Sequence, residues 1–225
     1  MVQVLRSLVS APQSQVASSD SASGLVADLR FRMLVGETAW GELPEAVQRR
    51  FSKTLAPGDA ALYRGRVVAT ELSRFGRVLA FLGRAIGSPL PDTDGATGAA
   101  VVSVVAEPLC QAQIWTRTYM RPGRFPQVVH SMKRFRGATG LEEYVGSGIG
   151  MALRVTVEDR ALVFRSAFYF LEAGRFKVRL PGFLTPGQMT ITHRDLGGEF
   201  RFDLELRHPR FGVLIRQNAV FQDAG

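Results

Sequence analysis

Residues 110–120 read Cys110-Gln-Ala-Gln-Ile-Trp-Thr-Arg-Thr-Tyr-Met120. Taken with a period of two, this stretch puts Gln113, Trp115, Arg117 and Tyr119 on one face, with Ile114, Thr116, Thr118 and Met120 on the other. Aromatic rings flanking a guanidinium on a single face suit the wall of a lined cavity better than an ordinary half-buried strand.

Outward from this stretch the same period holds from Ala99 to the C-terminus. The strands it predicts are 100–107, 111–120, 127–136, 141–145, 151–158, 162–170, 176–180, 187–194, 199–207 and 212–221. Phe200, Phe202, Leu204 and Leu206 alternate with Arg201, Asp203, Glu205 and Arg207. Leu162, Phe164, Phe168 and Phe170 share a face with Ser166, which places Tyr169 outside. The connections, such as Glu158-Asp-Arg160 and Asp195-Leu-Gly-Gly198, are too short for parallel crossovers. Antiparallel strands with one apolar face must close on themselves or cover a helix. The expected fold is therefore mainly β (α+β): a curved antiparallel meander closing into a barrel or half-barrel, with N-terminal helices packed on an end or open side.

Upstream the text differs. Residues 1–24, rich in small polar side chains, read as a mobile lead. Residues 25–98 form the helical N-terminal part of the domain, and 99–225 the barrel part. Helical spacing starts at Asp28, with Leu29, Met33 and Leu34, and Gly36 is a stop. Pro44 opens a second helix whose apolar face carries Val47 and Phe51. Residues 61–67 read as a short extended piece. A third helix over 73–86 carries a stripe of Phe75, Val78, Leu79, Leu82 and Ile86, and residues 91–98 form a loop.

Composition bounds the function. The chain has 225 residues, 46% of them hydrophobic, and no apolar run long enough to span a bilayer. The start lacks the basic-then-apolar order of a secretory signal, so a cytoplasmic location is expected. A single cysteine, Cys110, excludes an internal disulfide and a cysteine metal cluster. The net charge of +8 raises nucleic acid and anionic membranes as partners. The arginines are dispersed and no nucleic-acid-binding motif accompanies them, which argues against nucleic acid and leaves a weak contact with anionic lipid. His130, His193 and His208 are too scattered for a metal site, and neither a metal nor a cofactor is expected.

Several motifs occur in a telling order: Trp40-Gly-Glu-Leu-Pro-Glu-Ala-Val, Tyr63-Arg-Gly65, Gly87-Ser-Pro-Leu-Pro91, Trp115-Thr-Arg117 and Gly146-Ser-Gly-Ile-Gly150. Phe164-Arg-Ser166, Leu180-Pro181 and His208-Pro-Arg-Phe-Gly212 complete the set. Together, over roughly residues 30–222, they resemble the bacterial domain of unknown function family 4166. The resemblance implies a domain often found behind a nucleotide-binding domain of the saccharopine-dehydrogenase type. No Gly-x-Gly-x-x-Gly follows a strand in these residues, so that partner would be a separate dehydrogenase. The family brings no catalytic residues to carry over.

The candidate ligand-binding residues are Trp115, Arg117, Tyr119, His130, Tyr144, Phe164 and His193. Arg117 between aromatic faces suits a carboxylate, phosphate or enolate oxygen. His130 would need Glu142 or Glu143 as a partner, and Tyr63 and Tyr144 are possible donors into the cavity. The first functional expectation is a lipocalin-like barrel holding an apolar or amphipathic small molecule, a lipid among the candidates. A cofactor-free cyclase or isomerase in the same cavity is the alternative, with Arg117 on an oxyanion and His130 or a glutamate moving protons. A domain that docks to a dehydrogenase is the third reading. A cavity of about 300 Å³ or more behind Trp115 would favour the first two, and a filled interior the third.

Overall fold

In the computed structural model, which describes residues 27–85, 98–146 and 148–224, the stretch around Trp115 is strand β3, Ala112–Arg121. It forms a hairpin with β4, Arg124–Arg134, through a turn in which Gly123 takes φ +65°. The ladder sets Trp115 opposite Ser131, Arg117 opposite Val129 and Gln113 opposite Lys133.

The other strands are β1 (Ala60–Leu72), β2 (Gly98–Glu107), β5 (Leu141–Gly146), β6 (Ile149–Glu158) and β7 (Ala161–Ala173). They continue with β8 (Phe176–Arg179), β9 (Gln188–Asp195), β10 (Phe200–His208) and β11 (Gly212–Asp223). All pairings are antiparallel, in the order β6-β5-β4-β3-β2-β1-β11-β10-β9-β7, and β6 pairs β7 to close ten strands into a barrel. β7 is long enough to hold β9 along Leu162–Arg165 and β8 along Phe170–Ala173. The inner face carries Val102, Val104, Leu153, Phe164, Ile191 and Phe202 in one buried cluster. The outer face carries Arg64, Arg154, Arg201 and Arg216, the reverse of a lipid-spanning barrel.

Short helices α1 (Arg30–Val35), α2 (Glu37–Glu42) and α3 (Glu45–Phe51) plug one end. Phe31, Trp40, Leu43, Val47 and Phe51 are buried in the same cluster as the inner strand residues. Phe31 meets the Phe51, Phe135 and Phe164 rings edge-on. Burial of these side chains against the barrel holds helices too short to be stable alone. Helix α4 (Arg74–Ala85) lies at the opposite end. It approaches so closely that a Cβ on Gly76 would sit 2.0 Å from the Leu214 carbonyl oxygen.

Some expectations need correcting. The extended piece at 61–67 is part of a longer strand, the 13-residue β1 between β2 and β11, so the N-terminal part contributes a barrel strand besides its helices. Gly65 breaks its apolar pattern, because Phe221 and the Val220 carbonyl occupy the space a side chain would need. Helix α2 was not foreseen; Trp40 anchors it. The inner face of β7 also differs from the simple alternation. A bulge at Ala167 sets Ser166 opposite Leu153 but Phe168 opposite Ala152, which turns Tyr169 inward and Phe168 and Phe170 outward. On α4 Leu79 packs against the strands, whereas Phe75, Val78 and Leu82 are exposed. The lead over 1–24, Ile86 and nearly all of the 91–98 loop lie outside the described residues.

Candidate functional site

Trp115 and Tyr119 are buried and the Arg117 side chain is 13% exposed. Around them β1 contributes Tyr63, β9 His193, β10 Phe200 and Phe202, β11 Gln217 and Phe221, and α3 Arg50. These residues enclose a narrow void of about 20 Å³ with largely apolar walls, room for about one water. That is far below the size a drug-like ligand needs. Side chains fill most of the interior.

The polar groups beside the void are uneven in charge. Arg117 donates from Nη1 to Ser131 Oγ at 3.0 Å, and its Nη2 lies 3.8 Å from Glu143 Oε1. Lys133 donates from Nζ to the same oxygen at 2.8 Å and stands 4.6 Å from the centre of the Trp115 ring. Two cations thus share one carboxylate inside the barrel. Burial pushes the Lys133 ammonium below its usual pKa, and the positive charge of Arg117 adds to this against the pull of Glu143. Burial alone would raise Glu143, yet Lys133 and then Arg117 hold it below the ordinary carboxylate value, aided by hydrogen bonds from Lys133 and Ser131.

Arg50 reaches in from α3, its guanidinium 3.7 Å from the centre of the Phe200 ring. Its Nε and Nη1 are buried without a hydrogen-bond partner, as are His193 Nδ1 and Glu143 Oε2. His193 packs among Phe51, Phe164, Phe200 and Phe202. Burial, followed by the fields of Arg50, Lys133 and Arg117, holds it well below the ordinary histidine pKa, so it is neutral. Burial pushes Tyr63 up to about 12 and raises Tyr119, which keeps both as neutral hydroxyls. Tyr119 donates to Gln217 Oε1 at 3.4 Å, and Gln217 donates to Thr70 at 3.2 Å.

The expected site residues divide between two faces. Trp115, Arg117, Tyr119 and His193 line the void, and Phe164 is buried beside it in contact with His193. His130 points outward on β4, its Nδ1 3.1 Å from Thr116 Oγ1, so the histidine–glutamate pair does not form. The inward residues of β4 include Gln127, Val129, Ser131 and Lys133, the opposite parity from His130. Tyr144 also lies outside. There its one hydroxyl proton is shared between Glu142 at 2.9 Å and Glu172 at 2.7 Å, and its oxygen accepts from Arg136. Lys177 joins this outer network through Glu142 at 2.7 Å.

Lys133, Arg50 and Gln217 were absent from the sequence reading of the site. Lys133 was within reach of it, because a hairpin centred on Gly123 pairs residues equidistant from the turn and so opposes Gln113 with Lys133. Among the described residues no group of three or more His, Cys, Asp or Glu is placed to hold a metal ion. None of their helices is long and apolar enough to cross a membrane.

The family model described as "Domain of unknown function (DUF4166)" matches residues 43–221, from α2's exit to the last barrel strand. No curated protein and no solved structure matches the chain significantly.

Proposed function

We propose, for a chain that belongs to the DUF4166 family of domains of unknown function, that the barrel binds a small amphipathic molecule with an anionic or strongly accepting end. The observation that carries this reading is the set of buried donors without partners at an apolar void: Arg50 Nε and Nη1 beside Arg117 and His193. Buried polar groups are rarely left unpaired, and a ligand oxygen would satisfy them. The excess of cations over Glu143 supports the same sign of charge, while Trp115, Phe200, Phe202 and Phe221 suit the apolar part.

A void of about 20 Å³ does not admit such a molecule without movement of its walls. Arg50, half-buried at the end of a short plug helix, is the lining residue best placed to swing aside. The filled interior favours a second reading, a domain that acts by docking to a separate dehydrogenase. The cyclase or isomerase reading loses its assigned histidine, since His130 faces solvent. Native mass spectrometry of freshly purified protein separates the two readings. A retained small molecule that Arg117→Met releases, with the fold intact, supports binding; an empty barrel that takes up no carboxylate favours docking.

A further inference from the structure

The two ends of the barrel differ in chemistry. At the helical end the connections are of mixed charge, with Glu107, Asp159, Asp195 and Glu199 alongside Arg136 and Arg160. At the α4 end the described turns carry no carboxylate. Instead the dipeptide Arg-Phe recurs there four times, each in an exposed position. Arg74-Phe75 opens α4, Arg124-Phe125 leaves the β3–β4 turn, Arg175-Phe176 the β7–β8 turn and Arg210-Phe211 the β10–β11 turn.

Antiparallel pairing alone brings these segments to one end, since β1 and β3 finish where β2, β4 and β11 begin. Two of the pairs touch: the Phe75 and Phe211 rings stack with centroids 4.1 Å apart. Phe125 is 89% exposed, and Phe183 in the turn between β8 and β9 is 83% exposed. Phe81 and Leu82 extend the exposed apolar face of α4, which is flanked by Arg74, Arg77 and Arg84. The nearest carboxylates are set back on strands and already engaged. Glu172 pairs with Arg136 and Lys177, Glu205 with Arg207 and Arg216, and Glu71 faces Arg216. The connection over 86–97 lies outside the described residues; its sequence includes Asp92 and Asp94.

We propose that this end of the barrel docks on the surface of a bilayer rich in anionic lipid, with α4 lying along the interface and the phenylalanine tips entering it. A basic helix with Phe and Leu on its apolar face is suited to the headgroup boundary, where rings sink into the acyl region and arginines meet phosphates. A membrane fits better than a protein partner. Beyond the apolar face of α4 the exposed rings stand on separate turns, and Phe75, Phe125, Phe176 and Phe211 each follow an arginine. Docking leaves the helical end, where the carboxylates of the connections lie, facing water.

The test is co-sedimentation of the whole chain with phosphatidylcholine vesicles containing about 30% phosphatidylserine, against vesicles of phosphatidylcholine alone. Partition is expected on the anionic vesicles only and is expected to weaken with salt. Replacing one tip, Arg124→Ser with Phe125→Ser, should lower the partition coefficient about tenfold or more. Leu109→Ser, at the most exposed apolar residue of the helical end, should leave it unchanged. No partition onto anionic vesicles by the folded protein overturns the proposal and leaves the tips to a protein partner. Equal loss from Leu109→Ser and the tip variant overturns it as well.

Discussion

Removing either member of the Lys133–Glu143 pair should destabilise the barrel, but unequally. Both side chains are buried, 2.8 Å apart, and Arg117 Nη2 stands 3.8 Å from the same carboxylate oxygen. Lys133→Met leaves Glu143 with Ser131 and Arg117, so its charge stays compensated and the loss should fall near about 2 kcal/mol, below the usual cost of breaking a buried pair. Glu143→Gln removes the only negative charge between two cations and should cost about 3–5 kcal/mol. Lys133→Met with Glu143→Leu removes the pair but leaves Arg117 hydrogen-bonded to Ser131, and should recover most of that loss, ending within about 1–2 kcal/mol of the parent. Urea unfolding at neutral pH measures all three, and each kcal/mol should move the melting temperature by about 2–4 °C. If Lys133→Met proves as costly as Glu143→Gln, the carboxylate is not the shared anchor of two cations and the electrostatic account of the interior fails.

His193 gives a pH signature. Its pKa is held well below the ordinary 6.5, so the unfolded chain binds a proton that the folded one refuses. Stability from this site is present above about pH 6.5 and should fall as the pH drops below it, by up to about 1.4 kcal/mol per pH unit. His193→Phe should flatten the profile between pH 5 and 7; an unchanged slope refutes the assignment. Gly65→Ala would set a methyl 2.0 Å from the Val220 carbonyl oxygen and should cost about 3 kcal/mol or more, read by thermal unfolding. A variant as stable as the parent would mean that β1 and β11 separate without penalty.

The strands from β2 onward were legible because each buries one face, so period-two alternation survives in the text. β3 shows this most clearly, with Gln113, Trp115 and Tyr119 all buried. What resisted reading was parity and punctuation. His130 and Lys133 both sit on an alternating strand, and only the hairpin's turn position decides which one faces inward. Tyr169 follows a bulge at Ala167 that local alternation does not announce. β1 is legible only as the short extended piece 61–67, because at Gly65 close backbone approach replaces an apolar side chain and interrupts the alternation. Helical spacing gives α4 its apolar stripe, but not the face it buries: Phe75, Val78 and Leu82 are turned to solvent. Arg50 has no sequence signal at all, because only the fold brings the end of α3 to the Phe200 ring.

The most direct test of a ligand site at Arg117 is a fluorescence titration that follows Trp115, with a medium-chain carboxylic acid and the alcohol of the same chain length as paired probes. Trp115 lines the void with Arg117, so an anion drawn there should change its emission. An anion site at Arg117 should give a saturable change with the acid, a weaker response to the alcohol and loss of the difference in Arg117→Met. Equal responses to acid and alcohol, or an acid response that Arg117→Met leaves intact, would contradict it.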